Sequence, residues 1–325
     1  MRILAWHVHG SWMTAFVHMI RKGHEVIVPV VPDRGPDGLG RATTYAWPAR
    51  VPEVSPAQIA DLAAARAIDV VVLQRPGDAD LFRTWTGLQA GRDVPAVYVE
   101  HNTPRGDVTG WRHPLADQNA VPIVHVTDFN AAMWDNGEAP VRVIDHGVPD
   151  PGHLYDGRLE TLAVACNEPV RRARVAGTDI AARIARQVPV HVYGMRTQGV
   201  EQIITTGLAG ADELAQADLH KRMAEHRAYL HPYRWTSLGL ALIEAMTLGM
   251  PVLALAATAA PHAVPAGGGL VSADVDALAA HARALVADPD LARAEGEIAR
   301  TGALERFGLD RFLADWDRLL EEVAR

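Results

Sequence analysis

A carboxylate placed inside an apolar helix needs a partner, and this chain has one at Glu244. The stretch Ser237-Leu238-Gly239-Leu240-Ala241-Leu242-Ile243-Glu244-Ala245-Met246-Thr247-Leu248 carries helix punctuation. The Ser237 hydroxyl can accept from a free amide of a first turn, Gly249 supplies a left-handed stop, and Pro251 cannot continue a helix. These signals predict a helix over 237–248, apolar nearly all round and therefore buried. Ser237 and Glu244 then share one face, roughly 10 Å apart along the axis at about 1.5 Å per residue. Free amides at a helix start attract phosphate. A carboxylate two turns further on can accept from hydroxyls. A nucleoside diphosphate presents both groups. The plainer alternative is a glutamate that reaches solvent or pairs with an arginine; the flanking pattern favours the ligand.

Two further stretches could do chemistry. Glu100-His101-Asn102-Thr103-Pro104-Arg105-Gly106 follows an apolar run over 94–99, and ligands of open α/β sheets bind outside the carboxyl ends of strands, where His101 would stand. Asn167-Glu168-Pro169-Val170-Arg171-Arg172-Ala173-Arg174 follows another apolar run and carries three arginines. Asp78-Ala79-Asp80 has the spacing of a metal-binding acidic pair, but carboxylates there also suit the start of a helix. No metal site is expected: Cys166 is the only cysteine, and the 15 histidines contain no pair four residues apart.

The elements that must position these residues alternate. Apolar runs at 3–8, 26–30, 69–73, 94–99, 121–126 and 141–144 read as strands, with helices at 11–21, 56–67, 80–88 and 129–135 between them. Residues 31–56 read as loop. After the Pro/Gly-rich Asp150-Pro151-Gly152-His153, the alternation restarts with strands at 162–166, 188–193, 228–230, 251–256 and about 269–271. Residues 196–215 read as loop, and 275–325 as three amphipathic helices. The stripe Phe312, Trp316, Leu319 and Leu320 on the last helix reads as core packing. Two successive halves of this kind imply an α/β protein with two Rossmann-like β/α/β domains facing across a cleft and C-terminal helices. The expected domains are 1–155 and 156–308, with a helix over 309–325 packing back on the first.

Composition narrows the function. With 325 residues, 49% hydrophobic and 22% charged, the chain has enough core for two domains. A net charge of -8 without a basic run argues against nucleic acid or an anionic membrane as partner. No stretch approaches the ~20 apolar residues of a membrane span, and the start of the chain turns polar too soon for a signal peptide. A cytoplasmic protein is the expectation.

The sequence resembles the GT-B glycosyltransferases, most closely the retaining family-4 (group 1) enzymes. The resemblance is carried by Tyr229-Leu230-His231-Pro232, by Ser237 to Met246, by Leu248-Gly249-Met250-Pro251-Val252 and by Gly268-Gly269-Leu270-Val271, with weaker matches at Gly23-His24-Glu25-Val26 and Val143-Ile144-Asp145-His146-Gly147-Val148. It implies transfer of a sugar from a nucleotide diphosphate sugar to an acceptor hydroxyl on a small molecule or glycan, with retention, and with neither cofactor nor metal. It implies that Glu244 binds ribose hydroxyls and that the backbone around Leu238, Gly239 and Leu240, after Ser237, meets the diphosphate and sugar. Arg171, Arg172 and Arg174 stand where relatives place cations on the diphosphate, Arg172 first among them. His101 matches a sugar-positioning histidine, and Gly10 a loop that approaches donor and acceptor. One departure stands out. Relatives carry a second glutamate eight residues before the first, and here that position is Thr236, whose hydroxyl carries no charge. Two other functions fit the same architecture: a sugar-nucleotide epimerase and a nucleotide-sugar-binding protein without catalysis.

Overall fold

The computed structural model describes residues 1–325, which divide into two compact units: Met1–Pro149 with Leu309–Arg325, and Asp150–Gly308. The strands of the first unit are β1 (Arg2–Ala5), β2 (Glu25–Pro29), β3 (Glu53–Val54), β4 (Val70–Leu73), β5 (Ala96–Glu100), β6 (Ile123–His125) and β7 (Val141–Val143). They form one parallel sheet in the order β3-β2-β1-β4-β5-β6-β7. The helices α1 (Gly10–Phe16), α2 (Pro56–Ala64), α3 (Pro76–Thr86) and α4 (Asp128–Met133) connect them. β1, β4 and β5 are almost wholly buried, which is why they read as short continuous apolar runs rather than alternating ones.

The second unit repeats the scheme. Its strands β8 (Leu159–Ala165), β9 (Val190–Tyr193), β10 (Leu208–Asp212), β11 (His226–His231), β12 (Val252–Leu255) and β13 (Gly269–Ser272) form a second parallel sheet, ordered β10-β9-β8-β11-β12-β13. Helices α5 (Ala173–Ala176), α6 (Thr178–Ala185), α7 (Gln216–Ala224), α8 (Leu240–Leu248), α9 (Ala260–Ala263), α10 (Val275–Ala287) and α11 (Pro289–Phe307) belong to this unit, while α12 (Leu309–Val323) belongs to the first. Each unit is thus a doubly wound Rossmann-like α/β body.

Three expectations need correction. The segment 196–215 contains β10, an edge strand of Leu-Ala-Gly-Ala-Asp that is mostly exposed and so lacks an apolar signature. β3, inside the presumed loop 31–56, is a two-residue edge strand and equally silent. The units divide after Pro149 rather than after 155. Asp150 accepts from Arg300 at 2.9 and 2.7 Å, and the amides of Leu154 and Tyr155 donate to the Leu248 carbonyl at 3.2 and 3.1 Å, so this Pro/Gly-rich stretch is tied to the second unit.

In the first unit, the α12 stripe of Phe312, Trp316, Leu319 and Leu320 is buried. Trp316 meets Trp12 and Phe16 edge-on at 5.6 and 5.2 Å between ring centroids. Arg311 donates to the carbonyls of Asp145 and His146, and Asp317 lies 2.7 Å from His24.

Candidate functional site

In each sheet the strand order reverses between two neighbours, β1 and β4 in the first unit, β8 and β11 in the second. Connections leave in opposite directions there, opening a crevice outside the carboxyl ends. In the second unit this crevice is bordered by the loop after β8 and by residues 232–239 after β11. The two approach closely. At Gly177 (φ 74°) an added Cβ would stand 1.8 Å from the Pro232 carbonyl oxygen, so only glycine fits.

α8 begins at Leu240, with extended Gly239 (φ -71°, ψ 120°) as its cap and no side-chain capping bond. The predicted start at Ser237 is therefore three residues early. Ser237 and Leu238 are buried in the crossing from β11, and the helix starts only where Gly239 has passed the His231 ring, whose Cε1 a Cβ at 239 would meet at 2.6 Å. Ser237 is thus not on one helical face with Glu244, and the axial separation drawn from that does not apply. The amides of the loop and first turn still lie at the crevice end of α8, followed by Glu244 in mid-helix.

Glu244 is 5% exposed. It neither reaches solvent nor meets an arginine. Gln216 Nε2 donates to Oε1 at 2.9 Å, and His220 Nε2 stands 3.5 Å from Oε2, beyond good hydrogen-bonding distance. Both partners come from α7, four residues apart and so on one helical face. Sequence reasoning passed over this pair, because α7 is otherwise a polar helix with no unusual residue and gives no sign of its distance to Glu244.

The three arginines separate. Arg171 is exposed and bonded to Glu168, which also accepts from Arg196 at 2.9 Å; these bonds hold the Glu168 carboxyl down to about 2. Arg174 pairs with Asp179 at 2.8 Å, a carboxylate already gripped by Arg234 at 2.7 and 2.8 Å. Arg172 is half-buried, lies 5.9 Å over the Tyr233 ring, and has no carboxylate of its own. Thr236 is half-buried in the loop before α8.

Sequence reasoning also passed over His231 as a site residue. It ends β11 at the strand-order reversal, is 1% exposed, and neither ring nitrogen has a partner. Burial pushes its pKa down to about 3, so the ring is neutral. It stacks on Tyr233 with centroids 4.8 Å apart.

The first unit has its own constellation. His101 directly follows β5; its Nε2 lies 3.1 Å from Gln74 Oε1, and Gln74 Nε2 donates to the Trp6 carbonyl at 2.6 Å. Its ring centroid is 4.0 Å from that of His9, the residue before Gly10, which opens α1. His101 and Gly10 are therefore brought together. Burial keeps His101 well below the ordinary histidine pKa, with the His9 and His146 rings adding to the effect. Asp78 works as the helix-start reading expects: fully buried in the first turn of α3, it accepts from the amides of Gln74 and Arg75, both at 2.9 Å, and from the Arg75 guanidinium. Asp80 is exposed and pairs with Arg83.

Comparison with known proteins bears on these features. Residues 165–288 match the family described as Glycosyl transferases group 1. The matched residues all lie within the second unit. The whole chain shares the GT-B fold with solved structures. The Anabaena HepE structure in complex with UDP-glucose superposes with a TM-score of 0.71 at 16% identity, covering 99% of this chain and 100% of that one. The sucrose-phosphate synthase of Thermosynechococcus elongatus gives 0.70 at 15% identity, covering 99% and 98%. A Staphylococcus aureus TarM variant, in complex with Fondaparinux, alpha-GlcNAc-glycerol and UDP, gives 0.64 at 15% identity; the match covers 82% of this chain but only 58% of TarM. No curated protein sequence matches. No helix is long and apolar enough to cross a membrane.

Proposed function

We propose that the protein is a glycosyltransferase that moves a sugar from a nucleotide diphosphate sugar to an acceptor hydroxyl, with retention and without a metal ion. The observation that carries this reading is Glu244. It is a buried carboxylate just beyond the loop of the strand-order reversal, held by a neutral amide, with a histidine nearby, rather than neutralised by an arginine. Such a group accepts from ribose hydroxyls. The UDP-glucose complex of HepE, on the same fold, lends support.

In this reading the backbone N–H groups around Leu238, Gly239 and Leu240 face the diphosphate, joined by Ser237 and by Arg172, the arginine whose charge is not already spent on a carboxylate. As the sugar leaves, negative charge grows on the diphosphate, and fixed donors stabilise it without reorganising. Thr236 offers the sugar a neutral hydroxyl where relatives have a carboxylate. His101 and Gly10 serve the reacting sugar from the first unit. No protein general base is assigned, and the departing phosphate takes the acceptor proton.

The deciding experiment is calorimetric titration of nucleoside diphosphates into Glu244→Gln. A hydrogen bond to a charged acceptor contributes about 1.5–3 kcal/mol, so affinity is expected to fall by about 10- to 100-fold. Unchanged binding and transfer would exclude the assignment. Product formation that persists in excess chelator, and an anomeric proton of unchanged configuration by NMR, test metal independence and retention.

A further inference from the structure

Glu244 does not stand alone. It lies against α7 with its two oxygens in different states. Oε1 accepts from the Gln216 amide at 2.9 Å. Oε2 faces His220 Nε2 across 3.5 Å, and that nitrogen is buried without a hydrogen-bond partner although the residue is 93% covered. A buried imidazole nitrogen left unpaired beside a carboxylate is costly unless something completes it. The gap is too long for a direct bond. It is short enough for one oxygen, set to the side at about 2.8 Å from each, to bridge both atoms.

We propose that Glu244 and His220 form a two-point cradle for the vicinal diol of the nucleoside, and that Gln216 occupies the cradle when no nucleotide is bound. The proposal rests on the donor-site reading of Glu244 and extends it to α7. One ribose hydroxyl accepts from His220 Nε2–H and donates to Glu244 Oε2. Its neighbour donates to Oε1 and takes the place of the Gln216 Nε2–H. The Gln216 amide therefore imitates a sugar hydroxyl: it is a neutral donor, it is half-exposed at the start of α7, and it can swing out. Three consequences follow. A ribose is distinguished from a deoxyribose by two residues rather than one. Nucleotide binding must displace a hydrogen bond the protein already makes. Removal of Gln216 and removal of His220 must act in opposite directions.

The test uses the full chain and titrates UDP, GDP and ADP by calorimetry, then carries the tightest forward with its 2′-deoxy and 3′-deoxy analogues. His220→Ala is expected to weaken the ribonucleotide by about tenfold, the factor of one net hydrogen bond, while leaving one deoxy analogue nearly unchanged. The ratio between them collapses. Gln216→Ala is expected to tighten the ribonucleotide by a few-fold, because the competing amide is gone. A His220→Ala protein that merely packs badly would weaken all three ligands equally, and that result overturns the cradle; so does a Gln216→Ala protein that binds no tighter. If Glu244→Gln leaves binding unchanged, or none of the three diphosphates binds, the donor-site reading itself fails. If Glu244→Gln weakens binding while the ribo-to-deoxy ratio of His220→Ala stays at its original value, the cradle alone fails.

Discussion

The two units share one topology and differ in what they place at the reversal of strand order. In the first unit the carboxyl ends are lined by imidazoles: the His9 and His101 rings lie against each other at a tilt, and His146 joins them closely enough for their charges to interact. All three are held neutral by burial, His9 at about 4 and His146 at about 3. Arg75, the cation nearby, is consumed by buried Asp78. In the second unit the same position carries Arg172 without a carboxylate, the amides before α8, and Glu244. The first crevice is built of neutral donors and acceptors suited to hydroxyls, the second of positive ends suited to phosphate.

Several changes would break or sharpen that contrast. The largest effect is expected from Gly177→Ala, which forces a side chain against the Pro232 carbonyl in the left-handed region. It should destabilise the second unit by about 3 kcal/mol or more, seen as an early transition in thermal unfolding, while the first unit melts as before.

Acidification comes next. A histidine buried neutral contributes its stability in full above the unfolded pKa of about 6.5 and loses it as pH falls toward the folded value. For His146 and His231, with folded values near 3, that window runs from 6.5 downward, and the loss at pH 5 is about 2 kcal/mol each. Because three imidazoles face one another in the first unit, its transition should fall further between pH 7 and 5; circular dichroism melts at stepped pH, repeated with His146→Gln, measure this.

A smaller effect is expected of Arg172→Ala, which should weaken nucleoside diphosphate binding by about tenfold and leave the free nucleoside unaffected. The smallest belongs to Arg171→Ala and Arg174→Ala. Both arginines are exposed and already paired, and changes within about twofold are expected by the same titration. If Arg171→Ala proves as costly as Arg172→Ala, pairing with Glu168 does not decide which arginine serves the ligand.

Strands buried on both faces announced themselves, because a central parallel strand must be apolar on both sides; hence β4 and β12 were read nearly to the residue, while β5 was placed too early and β1 was carried too far at its end. β3 and β10 lie at sheet edges, where that requirement lapses. Glu244 was legible because its neighbours made it an anomaly. The start of α8 was not, since Ser237 is a good cap by type, yet the backbone stays extended through Gly239, close against the His231 ring, and the helix begins at Leu240. Gln216 and His220 matter through their distance to Glu244, and no periodicity in α7 reports a distance to another helix. Likewise Arg172 differs from Arg171 and Arg174 in the ring and the carboxylates that the fold brings to each, which the sequence does not report.

The return of α12 to the first unit has a consequence for biosynthesis. Residues 150–308 are an insertion within the first body, and the ribosome must deliver all of them before the segment carrying Phe312 and Trp316 emerges. Until then Trp12 and Phe16, which that segment packs against, lack their cover. The second unit can close while the first is still waiting. The first unit therefore cannot complete its core until the whole of the second has been synthesised.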